Sequence, residues 1–226
     1  MPLILNIDTA TDMASVCLSE NGYAVAVREN NQQKEHAAFV HKAIEAILSE
    51  AGKELRQVDA FAVTSGPGSY TGLRVGLATA KGFCYALHKP LITINTLKVM
   101  LQAAIERPVS LQERTLLYCP MIDARRSEVY TALYNQKGES LFKPAAMILD
   151  EHSFETWLEV QPILFFGNGS EKFKAFVRKE NAVFANLRHN ATHLGKLSFQ
   201  QFEDQIFADL AYAEPEYLKE FHAVLK

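Results

Sequence analysis

The chain has 226 residues, 48% hydrophobic and 22% charged, the composition of an ordinary folded protein with a real core. Its 23 basic and 26 acidic residues leave a formal charge of −3, without the basic excess of a protein that grips a phosphate backbone by itself. No apolar run approaches the roughly 20 residues that cross a bilayer, and Met1 leads straight into Leu3–Ile7 with no leader pattern, so no membrane association is expected. Cys17, Cys84 and Cys119 lie far apart in apolar runs without a CxxC pair, which points to buried thiols in a reducing, cytoplasmic setting.

Leu3–Ile7 and Ala14–Ser19 read as strands on either side of the turn Asp8–Asp12, and Asn21-Gly22 is a hairpin signal that returns the chain through Tyr23–Arg28. Apolar positions 39, 40, 43, 44, 47, 48 and 51 give Glu35–Ala51 helical spacing, with Gly52 where a C-terminal cap belongs. Val58–Thr64 is predicted as a buried strand, Leu73–Leu87 as a helix stopped by Pro90, and Leu91–Ile94 as a further strand. The order then recurs: strands Leu116–Ile122, Glu128–Tyr134 and Ser140–Leu149, helix Phe154–Leu158, strand Ile163–Phe166, helix Glu171–Arg178, strand Ala182–Phe184 and helix Ala191–Leu210. Tandem βββαβα units predict an α/β fold of two duplicated lobes, at residues 1–102 and 103–226, with the last helix free to pack back on the first lobe.

In a duplicated fold of this kind the turn after the first strand of each lobe is the natural phosphate holder, and glycine favours it by letting backbone amides close on an anion. Neither turn has one. Asp8-Thr9-Ala10-Thr11 offers a carboxylate able to hold a hydrated magnesium, and two hydroxyls, or equally a self-capped turn. Asp123-Ala124-Arg125-Arg126 puts two cations where a phosphate loop needs space, and Gly167-Asn168-Gly169-Ser170 is a third, well-formed strand-to-helix turn. Asp8, Thr9, Thr11, Asp123, Arg125, Gly167 and Gly169 therefore outline a degenerate nucleotide cleft.

The segment from Ser65 to Gly76 lies between strand and helix, as nucleotide fingerprints do. Thr71, however, stands where the dinucleotide motif has glycine, and no Gly-Lys-Ser/Thr follows. Gly72, Gly76 and Ala80 recur every four residues and give the helix one smooth face. Two readings of that face stand: approach by a helix of another chain, or packing on the chain's own sheet. Leu73, Leu77, Phe83 and Cys84, with Ala43 and Ile47 on the preceding helix, complete the candidate partner interface.

The run Gly66–Arg74, continued by Ala78-Thr79-Ala80-Lys81-Gly82, resembles the hallmark of the TsaB (YeaZ) family. Ile7-Asp8-Thr9, Met121–Arg126 with Glu128-Val129-Tyr130, and Glu214–Leu218 agree with it in order, so the likeness covers nearly the whole chain. The resemblance implies an actin/Hsp70/sugar-kinase (ASKHA, ribonuclease H-like) fold and a non-catalytic part in making N6-threonylcarbamoyladenosine in tRNA. It further implies binding to the catalytic paralogue TsaD through helices near 35–51 and 72–88, an ATPase, TsaE, that joins the pair, a homodimer through the same helices in isolation, and only indirect contact with tRNA. No cofactor is required of this chain; ATP or ADP at the junction with the partner is the one candidate. Tyr70 replaces a usual phenylalanine, and Ala10 and Ala37 replace serines often seen there.

The alternative is an enzyme in its own right, either a metal-dependent hydrolase of glycoprotease type or a nucleotide-binding member of the fold. His36 and His41 are five apart, which turns them about 140° from one another on a helix and separates them as metal ligands. His189 and His193 have four-residue spacing beside a plausible cap, Asn190, but no third ligand is evident. Ser65 and Ser69 lie in a loop suited to a nucleophile, yet no histidine is tied to them. No catalytic residue and no metal site is expected.

Overall fold

The structure is a computed structural model describing residues 1–32, 35–107 and 115–219. The chain divides into two compact units: the described residues of Met1–Pro108 and Leu187–Pro215 form the first, and those of Val109–Asn186 and Glu216–Lys226 the second.

The first unit is built on a five-stranded sheet of order β3-β2-β1-β4-β5, comprising β1 (Leu3–Asp8), β2 (Ala14–Glu20), β3 (Tyr23–Asn30), β4 (Ala60–Gly66) and β5 (Leu91–Asn95). β1–β2 and β2–β3 run antiparallel, β1–β4 and β4–β5 parallel. All six residues of β1 are buried, because both sheet faces are covered. Side chains alternate across a strand. Leu3, Leu5 and Ile7 accordingly join a core with α1 (His36–Glu50) and α2 (Tyr70–Leu87), while Ile4 joins one with α3 (Thr96–Glu106) and α6 (Ala191–Glu203).

Gly52, at φ +61°, ends α1 as the sequence predicts, with Lys53 N donating to Leu48 O and Gly52 N to Ser49 O. α2 starts three residues before the predicted helix, capped by Ser69, whose Oγ accepts from Gly72 N. α3 is an addition to the element order read from the sequence; Asn95 caps it by accepting from Leu97 N at 2.9 Å.

The helix expected over 191–210 stops at Glu203. Gln205 takes the left-handed conformation (φ +56°), with Gln205 N on Phe202 O and Ile206 N on Gln201 O. This is a Schellman ending without its usual glycine, and so without a sequence signal. The chain then runs as a strap: Ala208 pairs with Leu91, and Lys81 Nζ reaches Ala213 O at 2.9 Å. A buried polar cluster seats α6, since Ser198 Oγ donates to Asn6 Oδ1 (2.6 Å) and Asn6 Nδ2 to Ser19 Oγ (2.9 Å).

The second unit repeats the topology in β10-β9-β6-β7-β8, where β6 is Leu117–Asp123, β7 Glu128–Tyr134, β8 Ser140–Ile148, β9 Ile163–Phe166 and β10 Ala182–Ala185. The antiparallel and parallel pairings fall at the same places as in the first sheet. The duplicated α/β architecture expected from the element order is thus present. Its helices are short, α4 (Glu155–Leu158) and α5 (Ser170–Lys174), the latter ending four residues before the predicted Arg178. Aromatic packing compensates: Phe165 lies 4.8 Å from Phe173 and 5.4 Å from both Phe154 and Phe184, ring centre to ring centre.

Gln205→Gly should raise the stability of the chain by roughly 0.5–1 kcal/mol, since the left-handed strain of a side-chain-bearing residue exceeds the entropy a glycine gives up. Urea unfolding checks this; an unchanged or lowered midpoint contradicts the strain assignment.

Candidate functional site

β1 ends at Asp8, a residue only 1% exposed. Oδ1 accepts from Ala10 N at 3.1 Å and from the Thr64 hydroxyl at 3.0 Å. Oδ2 lies 3.2 Å from Nε2 of His189, a ring brought by the segment just before α6 and itself buried. That contact is a close approach of ring nitrogen and carboxylate without the alignment of a hydrogen bond. Burial by itself pushes the Asp8 carboxyl up; the adjacent His189, with the Ala10 amide and the Thr64 hydroxyl, outweighs it and holds the group below the usual carboxylate range.

The rest of the turn faces α2. Thr9 Oγ1 donates to Gly72 O at 2.7 Å, and Ala10 O accepts from Ser69 N at 2.7 Å. A Cβ on Gly68 would fall 2.1 Å from Ala10 O, on Gly72 2.0 Å from Thr9 O, and on Gly76 2.4 Å from Thr9 Oγ1. Thr11 is half-buried beyond this contact.

This packing corrects the expected partner interface. Gly72, Leu73, Gly76, Leu77, Ala80 and Cys84 of α2, and Ala43 and Ile47 of α1, are buried within the chain, turned toward its own sheet and first turn. Phe83 is half-buried, stacked on Phe61 at 5.4 Å with its other side toward His41. Of the two readings open at the sequence level, packing on the chain's own sheet and first turn accounts for the glycines. What α2 turns outward is a second stripe, Thr71, Arg74, Ala78, Gly82 and Tyr85, the last 77% exposed. Beside it α1 exposes Ala37, Ala38, His41, Lys42 and Glu45. Among the described residues a Cβ on Gly82 would meet nothing within 4 Å. Both stripes have the same spacing on one helix, so periodicity alone could not say which faces inward.

In the second unit the turn after β6 and the Gly167–Ser170 turn come together. Asp123 N donates to Asn168 Oδ1 at 2.9 Å, and a Cβ on Gly169 would lie 2.9 Å from the Ile122 carbonyl carbon. Asp123 Oδ1 accepts from Arg125 N and from Lys172 Nζ, both at 2.6 Å. Arg125 and Arg126 hold left-handed backbones (φ +68° and +51°), and Gly167 has φ +95°. Both arginines are exposed and, among the described residues, neither side chain has an ion pair. Asp8, Thr9 and Thr11 thus belong to one unit and Asp123, Arg125, Gly167 and Gly169 to the other.

The four histidines singled out by spacing sit in different surroundings. His36 is buried with Nε2 at 3.3 Å from Asp12 O, while His41 is exposed. His193 receives Asn190 N at Nδ1, and Asn190 caps α6 as expected. Among the described residues no three His, Cys, Asp or Glu side chains gather as a metal set. All three thiols are buried and pushed up to about 12. Among the described residues no helix is long and apolar enough to cross a membrane.

Two predictions rest on this geometry. Gly76→Arg should lose the folded monomer, because the added atoms collide with Thr9 and Val63; a native circular dichroism melt would overturn the packing assignment. For Asp8, a folded-state pKa held below its unfolded value of about 3.9 contributes stability above that pH, and the contribution is lost as pH falls through the folded value. The stability gap between wild type and Asp8→Asn, measured by urea unfolding, should be widest at neutral pH and shrink below about pH 4; a gap that grows on acidification contradicts it.

Comparison with known proteins fits this architecture. A family profile described as TsaD, tRNA N6-adenosine threonylcarbamoyltransferase, matches residues 26–223. The Escherichia coli tRNA threonylcarbamoyladenosine biosynthesis protein TsaB is 29% identical, over 96% of this chain and 94% of its own length. The Haemophilus influenzae protein of the same name is 39% identical over 56% of this chain and 51% of its own. The structure of YeaZ from Pseudomonas aeruginosa superposes with a TM-score of 0.77 at 26% identity, covering 96% of this chain and all of that one. A match running through both units and the segments between them leaves one conclusion: the chain belongs to the tRNA N6-adenosine threonylcarbamoyltransferase family and, within it, stands with the TsaB (YeaZ) proteins of tRNA threonylcarbamoyladenosine biosynthesis.

Proposed function

We propose that this chain is a non-catalytic subunit of the tRNA threonylcarbamoyladenosine machinery, acting in the cytoplasm by docking the outward faces of α1 and α2 on a catalytic paralogue of the TsaD type. The observation that carries this reading is Gly82. Glycine inside a helix costs about 1 kcal/mol relative to alanine, and at Gly82 nothing among the described residues occupies the space a side chain would take. The cost has a purpose if another backbone closes on that point, as small residues allow. Ala78 and Ala86 flank Gly82 on the same surface, and Tyr85 offers the exposed aromatic anchor that interface centres favour.

The non-catalytic part of the reading draws on the first turn. Both Asp8 oxygens, the Ala10 amide and carbonyl and the Thr9 hydroxyl are already engaged by the chain's own groups, which leaves no free acid–base pair there. The charge of −3 suits a subunit that leaves tRNA to its partner. In the same reading the ATPase TsaE joins the assembled pair, the isolated chain forms a homodimer through the α1–α2 face, and any ATP or ADP sits at the junction of the two different subunits.

The test is Gly82→Arg in a reconstituted system. The variant should melt like wild type, since its new side chain enters open space, yet fail to co-elute with the catalytic paralogue and fail to support tRNA modification. Wild-type chain alone should neither modify tRNA nor turn over ATP. Retained co-elution of Gly82→Arg would sink the docking face, and ATP turnover or peptide cleavage by the isolated chain would favour an enzyme in its own right.

A further inference from the structure

The duplicated actin-like fold implies a nucleotide, with its cation, at the turn that follows the first strand of a lobe. The residues of this chain's first turn do not fit that group. A phosphate needs free amide donors, and Ala10 N is spent on Asp8 Oδ1. Ala10 O takes Ser69 N, Thr9 Oγ1 is turned to Gly72 O, and Gly68 and Gly72 press the start of α2 so close that not even a Cβ would fit between. Asp8 Oδ1 is doubly occupied, and the side on which a cation would approach Oδ2 holds the buried ring of His189.

His189 arrives there by construction. It lies 181 residues beyond Asp8, in the segment that returns to the first unit. That segment is fixed on the same two strands: Ala191 N donates to Ser15 Oγ at 2.8 Å, and Ser15 is the ladder partner of Asp8. Ser198 fastens the following helix to Asn6, two residues before Asp8. The ring is thereby held over the carboxylate by the docking of its segment, even though its Nε2 makes no well-aligned hydrogen bond. The second unit follows the same plan independently. Asp123, the last residue of β6 as Asp8 is of β1, receives Lys172 Nζ from the chain itself at 2.6 Å.

We propose that His189 takes the place of a cation at Asp8, so that the C-terminal segment closes the first turn and an internal side chain, in place of a bound nucleotide and metal, holds α2 in position. His189 is then a positioning residue, acting on α2 through Asp8 and the turn. The docking face carried by α2 would be presented constantly, whether or not nucleotide is available. Only this last consequence rests on the docking reading; the closure itself is a property of the isolated chain and is tested without any partner.

The experiment is thermal melting and isothermal titration with MgCl2, MnCl2 and Mg·ADP on the purified full chain. Wild type should show no binding heat and an unmoved melting temperature. His189→Ala should melt several degrees lower and recover part of that loss in millimolar Mg2+ or Mn2+, because the cation now reaches Asp8. Asp8→Asn/His189→Ala should melt low and recover nothing. Should His189→Ala fail to fold, His189→Gln, which keeps most of the volume without the imidazole, carries the same comparison. A merely structural histidine would give a lowered melting temperature indifferent to cations, and that result overturns the proposal. Mg2+ or Mg·ADP binding by wild type that disappears in Asp8→Asn overturns it as well.

Discussion

The first unit depends on how closely α2 can approach the turn that ends β1. Three glycines in the chain's most distinctive motif lie against Thr9 and Ala10 at distances that leave no room for one further carbon. The hydrogen bonds from Thr9 to Gly72 and from Ser69 to Ala10 form only because the backbones meet. Close packing of this kind is unforgiving, since interiors hold few voids and transmit small displacements. It fixes the azimuth of α2, and with it which side of the helix is left to solvent. The inner stripe and the outer stripe are two consequences of one contact.

The same contact explains why the first turn holds no open cradle for an anion. A turn that receives a phosphate must offer donors outward and keep space in front of them. This turn has directed its donors and acceptors inward and filled the space with a helix. Its carboxylate is buried, which is costly for an ion unless charge and hydrogen bonds compensate. Thr64, Ala10 and His189 supply that compensation from three separate parts of the chain. Asp123 in the second unit is more exposed, so its pairing with Lys172 is a weaker, solvent-screened version of the same arrangement.

Duplication has preserved the sheet order while the two copies diverged in how they fill their cores. The first unit buries two long helices on one face of its sheet and two more on the other, one of them returned from the far end of the chain. Among its described residues the second has helices of four and five residues, and it relies on a group of phenylalanines. A helix of one turn has little apolar surface to offer, so large rings take over the burial. The unit with long helices also has the exposed small-residue surface on α2.

Much of this was legible in the amino-acid order. The short apolar runs between turns, the helical spacing of 39–51, Gly52 as a cap and the repeated element order follow from patterns and turn residues that are local by nature. The motif from Gly66 to Gly82 carried the family. Local signals failed where local chemistry is silent: Gln205 ends α6 in a conformation usually given to glycine, and no spacing marks the strap that follows. Above all, sequence could not assign the faces of α2, because Gly72/Gly76/Ala80 and Ala78/Gly82 obey one period, and only the position of the Thr9–Ala10 backbone distinguishes them. Nor could it pair Asp8 with His189, two residues 181 positions apart. A sequence determines which side chains can share an element; which elements meet, and so which buried charge finds which partner, is decided by packing between parts of the chain that carry no local record of each other.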